Sequence, residues 1–401
     1  MDDAVTNSPV PSVRSCRTGA WLVGARGSVA TTAVLGAAAV RAGLAGPVGL
    51  VSELPSLAPA ALPSLEDVVL GGHDVVVTGY RKRAEVLAAQ GVVPRDLVVA
   101  LGAELDAADA DVVVPAAEPD QRRRVAALAA AMRDFHGRHD LDRLVVVDVS
   151  STQPPLDTDD AELVTDLASP EAVRAAWDAG RSPLPASAEA VWAAYEAGAA
   201  VVAFTPSPGV GVPAVAELGR RAGVPWAGAD GKTGETLLKS VLAPMFVQRA
   251  LHVDSWSSFN ILGGGDGQAL ADPVAARSKT ATKAAALEAI VGRPVPGPLH
   301  IDYVADLGDW KTAMNHVGFT GFLGTRMQLQ FTWQGCDSAL AAPLVLDLVR
   351  LLAACADAGR SGAVPELGFF FKDPVGSHEH ALAEQWHALL GLVDELAGRR
   401  P

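Results

Sequence analysis

Lysine is scarce in this sequence. Only seven of its 32 basic residues are lysines, Lys82, Lys232, Lys239, Lys279, Lys283, Lys311 and Lys372, against 25 arginines. Arginine stays protonated in any protein setting, whereas a lysine amine can be tuned to give up its proton near neutral pH. A chain that meets routine charge needs with arginine should keep lysine where a compact point charge or a proton transfer matters. Six of the seven lie between residues 232 and 372. Cysteine is scarcer still: Cys16, Cys336 and Cys355 are odd in number, far apart and without a CxxC pair, which argues against a disulfide framework or a thiolate zinc site. The nine histidines show no HExxH spacing and mostly read as structural or surface residues, so no metal site is expected. No apolar run reaches the roughly 18 residues that span a bilayer. The polar start MDDAVTNSPVPSVRSCRTG lacks the charged-then-apolar order of a signal peptide, and a cytoplasmic protein is expected. A formal charge of −14 disfavours nonspecific binding to nucleic acid or an anionic membrane, so an anionic substrate needs a local positive site.

With 401 residues, 49% of them hydrophobic and 19% charged, the chain exceeds one ordinary core and calls for two domains or one with a large insertion. The stretch GAWLVGARGSVATTAVLGAAAVRAGL reads as a strand, a glycine turn and an alanine-rich helix, the start of a dinucleotide-binding βαβ unit. Further strands are expected at GPVGLVS, HDVVVTG, ADVVVPA, RLVVVDVSST and AAVVAFTPS, with helices over 122–135 and 184–198. That alternation predicts an α/β fold with a mostly parallel, doubly wound sheet. After about residue 232 the pattern changes: GETLLKSVLAPMFVQRAL reads as a helix, and VDSWSSFNI, GPLHIDYVADL and FLGTRMQLQFTW as strands of a second, β-rich domain. In the last of these Leu323, Thr325, Met327, Leu329, Phe331 and Trp333 alternate with polar residues or glycine, as in a sheet with one buried face. From Asp337 a helix resumes the α/β style. The expected domains are 19–232, an insertion over 233–336, and a return to the first domain over 337–401.

The turn Gly24-Ala25-Arg26-Gly27-Ser28 could set backbone N–H groups and a helix N-terminus against a pyrophosphate, although its spacing is GxxG rather than the full GxGxxG. Glu53 and Asp74 both qualify as the carboxylate for ribose hydroxyls, and spacing slightly favours Glu53. In RSKTATK, Lys279 and Lys283 share a helix face at i, i+4, where like charges repel unless an anion lies between them. NILGGGDGQAL carries Asp266 on a tight glycine loop, DLGDWK sets Asp309 close to Lys311, and Asp337 or Ser338 in CDSAL suits a helix N-cap.

Taken in order, VGARGSVATT, GGHDV, SSTQ, ADGKTGETLLKSVLAPMF, FNILGGGDGQALADPVAARSKTATK, IDYVADLGDWKTAM, GCDSALAAPLVLDLV and FFFKDP resemble the myo-inositol-1-phosphate (inositol-3-phosphate) synthase family over nearly the whole chain. The resemblance implies an NAD-binding Rossmann-like domain built from both chain ends, with an inserted α+β domain that carries catalysis and builds a homotetramer. It implies cyclisation of a hexose 6-phosphate, by default D-glucose 6-phosphate, to a cyclitol phosphate: C5 oxidation, C6 enolisation, aldol closure and re-reduction. Carried over by motif, catalysis falls to Lys279, Lys283, Lys311 and Lys372 with Asp230 and Asp309. The substrate phosphate falls to Ser278, Lys279 and Lys283. The NAD site falls to Gly24, Ala25, Arg26, Gly27, Ser28, Asp74, Ser151, Thr152, Thr205, Asp266, Asp337 and Ser338, with Asp74 now preferred to Glu53. Two departures bear on the substrate: Gly264 and Gly265 stand where the usual NxLGNNDG motif has asparagines, and Trp310 occupies a position commonly small or polar. A five-membered cyclitol phosphate made from fructose 6-phosphate is the nearest alternative, followed by an NAD-linked dehydrogenase and a non-catalytic NAD-binding regulator.

Overall fold

A computed structural model describes residues 16–263 and 287–398. Its larger sheet has seven strands, all parallel: β1 (Thr18–Val23), β2 (Val68–His73), β3 (Val112–Val113), β4 (Arg143–Asp148), β5 (Ala200–Ala203), β6 (Pro225–Gly228) and β11 (Gly362–Ala363). They lie in the order β11-β6-β5-β4-β1-β2-β3, so the first six follow the Rossmann order and the reversal falls between β1 and β4. The short apolar strands are buried on both faces, and successive residues feed opposite cores. Ala20, Leu22, Val145 and Val147 pack under the helices Ser28–Arg41 and Asp337–Asp357, while Trp21, Val23, Leu144 and Val146 pack under Gln121–Arg138 and Ala186–Glu196. The helix Asp337–Asp357 is long and apolar enough in composition to cross a membrane, but it is mostly buried in this core.

The second sheet has the order β10-β9-β7-β8, from β7 (His252–Leu262), β8 (Leu299–Tyr303), β9 (Trp310–Thr320) and β10 (Arg326–Cys336). β7 pairs parallel with β8 and antiparallel with β9, which pairs antiparallel with β10. Ala243 and Phe246 of the helix Glu235–Gln248 pack with Val253, Trp256 and Val317 in a third core.

Three local expectations are corrected. GPVGLVS is no strand: Pro47 has no N–H to give, Gly49 takes φ +95°, and the amides of Val51 and Ser52 donate to the buried Asp347 carboxylate, each at 2.9 Å. The second strand instead comes from Val68–His73 and ends where HDVVVTG begins, because Asp74 Oδ1 accepts the Val76 amide at 2.9 Å and turns the chain. Val75 and Val77 are left 83% and 77% exposed. In FLGTRMQLQFTW, Leu323 sits at φ +59° in the hairpin turn, 87% exposed, and the buried parity begins only at Leu329 because β10 is an edge strand.

Candidate active site

The glycine turn lies at the carboxyl edge of the large sheet. Gly24 adopts φ +78°, and a Cβ there would sit 2.8 Å from Ser150 Cα, so only glycine lets the turn pass the end of β4. Gly27 N–H donates to Gly24 O at 3.0 Å, and the helix Ser28–Arg41 then starts with no side chain capping its first amides. That leaves a positive helix end open to an anion beside the point of strand-order reversal. The turn is held in shape by Asp74, whose Oδ2 accepts the Arg26 amide at 2.8 Å. The Arg26 guanidinium is spent on Asp109, at 3.0 and 3.2 Å, and on Val76 O at 2.8 Å, while Ser28 Oγ accepts from Arg83 at 2.9 Å. Beyond β4, Ser151 is exposed and Thr152 half-buried. Thr205, after β5, is buried between Asp148 Oδ2 at 3.3 Å and Ser207 Oγ at 2.9 Å. Asp148 is fully buried. Burial raises its pKa against the opposing hydrogen bonds from Ser150 and Thr205.

The lysines gather on the other side of this edge. Asp230 follows β6 at φ +60°, and its segment pairs with the one that carries Lys372: Lys372 N–H donates to Asp230 O at 2.7 Å and Lys232 N–H to Phe370 O at 2.8 Å. The side chains meet as well, Lys372 Nζ to Asp230 Oδ1 at 2.8 Å, with 16% and 12% exposure. Thr233 Oγ1 donates to Asp337 Oδ1 at 3.2 Å, and Lys311 Nζ to Asp337 Oδ2 at 3.2 Å. Asp337 opens the helix Asp337–Asp357, where the dipole favours a carboxylate. Asp309 accepts from Cys336 Sγ at 3.1 Å and from the Ser338 hydroxyl. Its contacts thus fix the turn before β9 to the start of that helix. Asp266, Ser278, Lys279 and Lys283 lie outside the described residues.

Several polar residues here were not singled out as functional by sequence reasoning. Lys232, 4% exposed, donates to Gln385 Oε1 and lies 6.0 Å from the Phe369 ring centre; burial brings its pKa down to about 7. With Lys239, Lys372, Thr236, Ser240 and His380 it lines a small cavity closed by Phe371 and Ile290. Lys239 is held by Glu235 at 3.0 Å, both nearly buried. On the inner face of the second sheet, Ser258 Oγ lies 2.6 Å from Glu235 and 2.7 Å from Asn315 Oδ1. Asn260 is 1% exposed, with both amide atoms unpartnered among the described residues, on the same side of the sheet as Lys311. A buried amide without partners costs about 1–3 kcal/mol, so this one is a candidate ligand contact. Its signal was readable: Ser258 and Asn260 share strand parity with the buried Trp256 and Leu262, where an apolar residue is the rule. Among the described residues, no cluster of three or more His, Cys, Asp or Glu could hold a metal ion.

A family model for myo-inositol-1-phosphate synthase matches residues 234–338. An inositol-3-phosphate synthase of Bacteroides thetaiotaomicron is 30% identical over 96% of this chain and 96% of its own. The chain belongs to the inositol-3-phosphate synthase family. Two solved structures share the fold. The inositol-3-phosphate synthase of Caenorhabditis elegans aligns with a TM-score of 0.82 at 21% identity, over 97% of this chain and 87% of that one. A myo-inositol-1-phosphate synthase-related protein of Thermotoga maritima aligns with a TM-score of 0.70 at 23% identity, over 96% and 99%. In this member of the family the region matched by the family model runs from the helix at Glu235 to the Asp337–Ser338 helix start, and so contains Lys311, Asp309 and Asn260.

Proposed function

We propose that the protein is an NAD-dependent cyclase that converts D-glucose 6-phosphate to an inositol phosphate. The observation that carries this reading is the convergence of Lys372 on Asp230 and of Lys311 on Asp337, with Asn260 buried on the Lys311 side of the sheet and without a partner among the described residues. The glycine turn fits NAD, since the helix that follows it starts with no side chain capping its first amides and so offers a positive end to a pyrophosphate. Gly24, Gly27 and the first amides of the helix would hold it. Bound NAD would supply a reversible hydride acceptor at C5 of the sugar.

The chain's own residues account for the remaining demands. Once C5 is a ketone, removal of a proton from C6 and closure onto C1 both place negative charge on oxygen close to a phosphate. Fixed ammonium groups stabilise such charge without reorganising. Asp230 orients Lys372 and Asp337 orients Lys311, and an amine held in this way can also pass a proton at Nζ. Asn260 would donate to and accept from sugar hydroxyls. Phe371 is buried and Trp333 lies on the Lys311 face of the second sheet, and apolar neighbours of this kind strengthen a charge contact.

Incubation with NAD and glucose 6-phosphate should give inositol phosphate by NMR with no build-up of NADH. Stoichiometric NADH would instead identify a dehydrogenase. A second reading, closure of fructose 6-phosphate to a five-membered cyclitol phosphate, is favoured by Gly264 and Gly265 in place of the two usual asparagines. The same assay with fructose 6-phosphate separates the two.

A further inference from the structure

Trp310 stands immediately before Lys311 at the start of β9, where its backbone pairs with Cys336, but its side-chain hydrogen bond leaves the second sheet. Its indole N–H donates to Gln90 O at 2.9 Å. Gln90 ends the helix Tyr80–Ala89 of the nucleotide-binding domain, the helix that follows the Asp74–Val76 turn. Next to this bond the β8–β9 turn touches the same residue. Gly308 has φ +57°, and a Cβ on it would come within 3.0–3.3 Å of the Gln90 side chain. The turn also abuts the end of β7: a Cβ on Gly263 would lie 2.5 Å from Val304 O and 2.7 Å from Gly308 N. On its far side Asp309 accepts from Ser338. One short turn, 304–310, therefore touches the nucleotide domain at Gln90, the Asp337 helix at Ser338, the strand that bears Asn260, and Lys311.

Of these contacts, the bond from Trp310 ties the turn to the helix on the cofactor side. An indole is rigid and carries a single N–H, so a fully made bond from it sets both distance and direction. We propose that Trp310 is a positioning residue, fixing the 304–310 turn to the end of the Tyr80–Ala89 helix so that Lys311 and Asn260 keep a set place relative to the nucleotide turn. The proposal rests on the cyclase reading only for its turnover arm. Displacement of a positioned group by about 1 Å costs up to about 100-fold in rate, so a single anchor at this point has a measurable effect.

The test compares the wild type with Trp310→Phe, which keeps a ring without the N–H, and Trp310→Ser, which removes both. Amide hydrogen exchange over 304–310 should quicken about ten-fold or more in Trp310→Ser and less in Trp310→Phe, while residues 18–28 keep wild-type protection. With NAD and glucose 6-phosphate, kcat should fall about ten-fold in Trp310→Ser and about three-fold in Trp310→Phe, with KM for NAD unchanged and some NADH escaping during turnover. Unchanged exchange at 304–310 in both variants overturns the proposal. So does a loss of protection spread through both domains, which would mark Trp310 as merely structural. If Trp310→Ser does not fold, Trp310→Phe decides alone. If the wild type yields no cyclised product but the exchange behaves as stated, the cyclase reading fails and the positioning role stands.

Discussion

Replacing Lys372 with methionine keeps most of the side chain's length and removes its charge. The ammonium lies 2.8 Å from Asp230, and both side chains are largely shielded, 16% and 12% exposed. At an effective dielectric near 20 the Coulomb attraction at that distance is about 6 kcal/mol before desolvation is charged against it. Breaking one partner of a buried pair costs about 3 kcal/mol, and residual exposure brings this site below that figure. Lys372→Met should therefore unfold at lower urea, and Lys372→Met with Asp230→Asn should recover most of the loss, because no unpaired carboxylate is left behind. Catalysis should behave differently. If the ammonium stabilises charge on the reacting oxygens, kcat falls about 10²–10³-fold in the single variant, and the double variant stays equally slow. Product formation by NMR and urea midpoints on the same preparations give both readings. A single variant within ten-fold of wild-type turnover, or a double variant that regains activity along with stability, would refute the role assigned to Lys372.

Three further outcomes are expected. Asn260→Leu removes an amide that has no partner among the described residues, so thermal stability should hold or rise by about 1 kcal/mol while KM for the sugar phosphate rises, read by melting and steady-state kinetics. Gly24→Ala forces a Cβ to 2.8 Å from Ser150 Cα at φ +78°, and should weaken NAD binding by calorimetry as well as lower stability by about 2 kcal/mol. Lys232 has a folded pKa lowered by burial to about 7, below its unfolded value, so between about pH 7 and pH 10 the unfolded chain binds more protons. Stability therefore rises with pH through that window at up to about 1.4 kcal/mol per unit from this group. Lys232→Met should be most stabilised relative to wild type at and below pH 7, and the difference in urea midpoint should shrink toward pH 10.

The fold class was legible because its signals are local. Apolar β-branched runs such as Leu144–Val147, the glycine turn after β1 and the alanine-rich helix after it each depend on neighbours in sequence. What stayed hidden depends on partners far away in the chain. The run at Val75–Val77 looks like a strand, but the single carboxylate of Asp74 turns it outward, and the amides of Val51 and Ser52 are taken by Asp347 from the last third of the chain. Strand β9 went unread because its sequence, WKTAMNHVGFT, puts lysine and asparagine on the face that borders the site. Asn260 was passed over within a motif otherwise recognised, and Lys232 was counted among the scarce lysines without a role.

The division between arginine and lysine acquires a structural meaning from these contacts. The buried arginines serve as permanent forks: Arg26 binds both oxygens of Asp109 and a backbone carbonyl, and Arg350 joins Pro63 O, Ser52 Oγ and Glu53. Lys82 is the ordinary case, an exposed amine on Glu85. The four other described lysines are all shielded and positioned around the Asp230 and Asp337 region: Lys239 reaches Glu235, Lys311 reaches Asp337, Lys372 reaches Asp230, and Lys232 reaches an amide oxygen. Lys311 reaches Asp337 through one oxygen among the described residues, and an ammonium bound in that way keeps protons to donate, which a fork consumed by two oxygens does not. Replacing Lys311 by arginine would keep the charge and its bond to Asp337 yet commit the guanidinium to that carboxylate. The variant should retain NAD binding and lose turnover by about 10²-fold, and wild-type kcat in Lys311→Arg would show that charge alone suffices there.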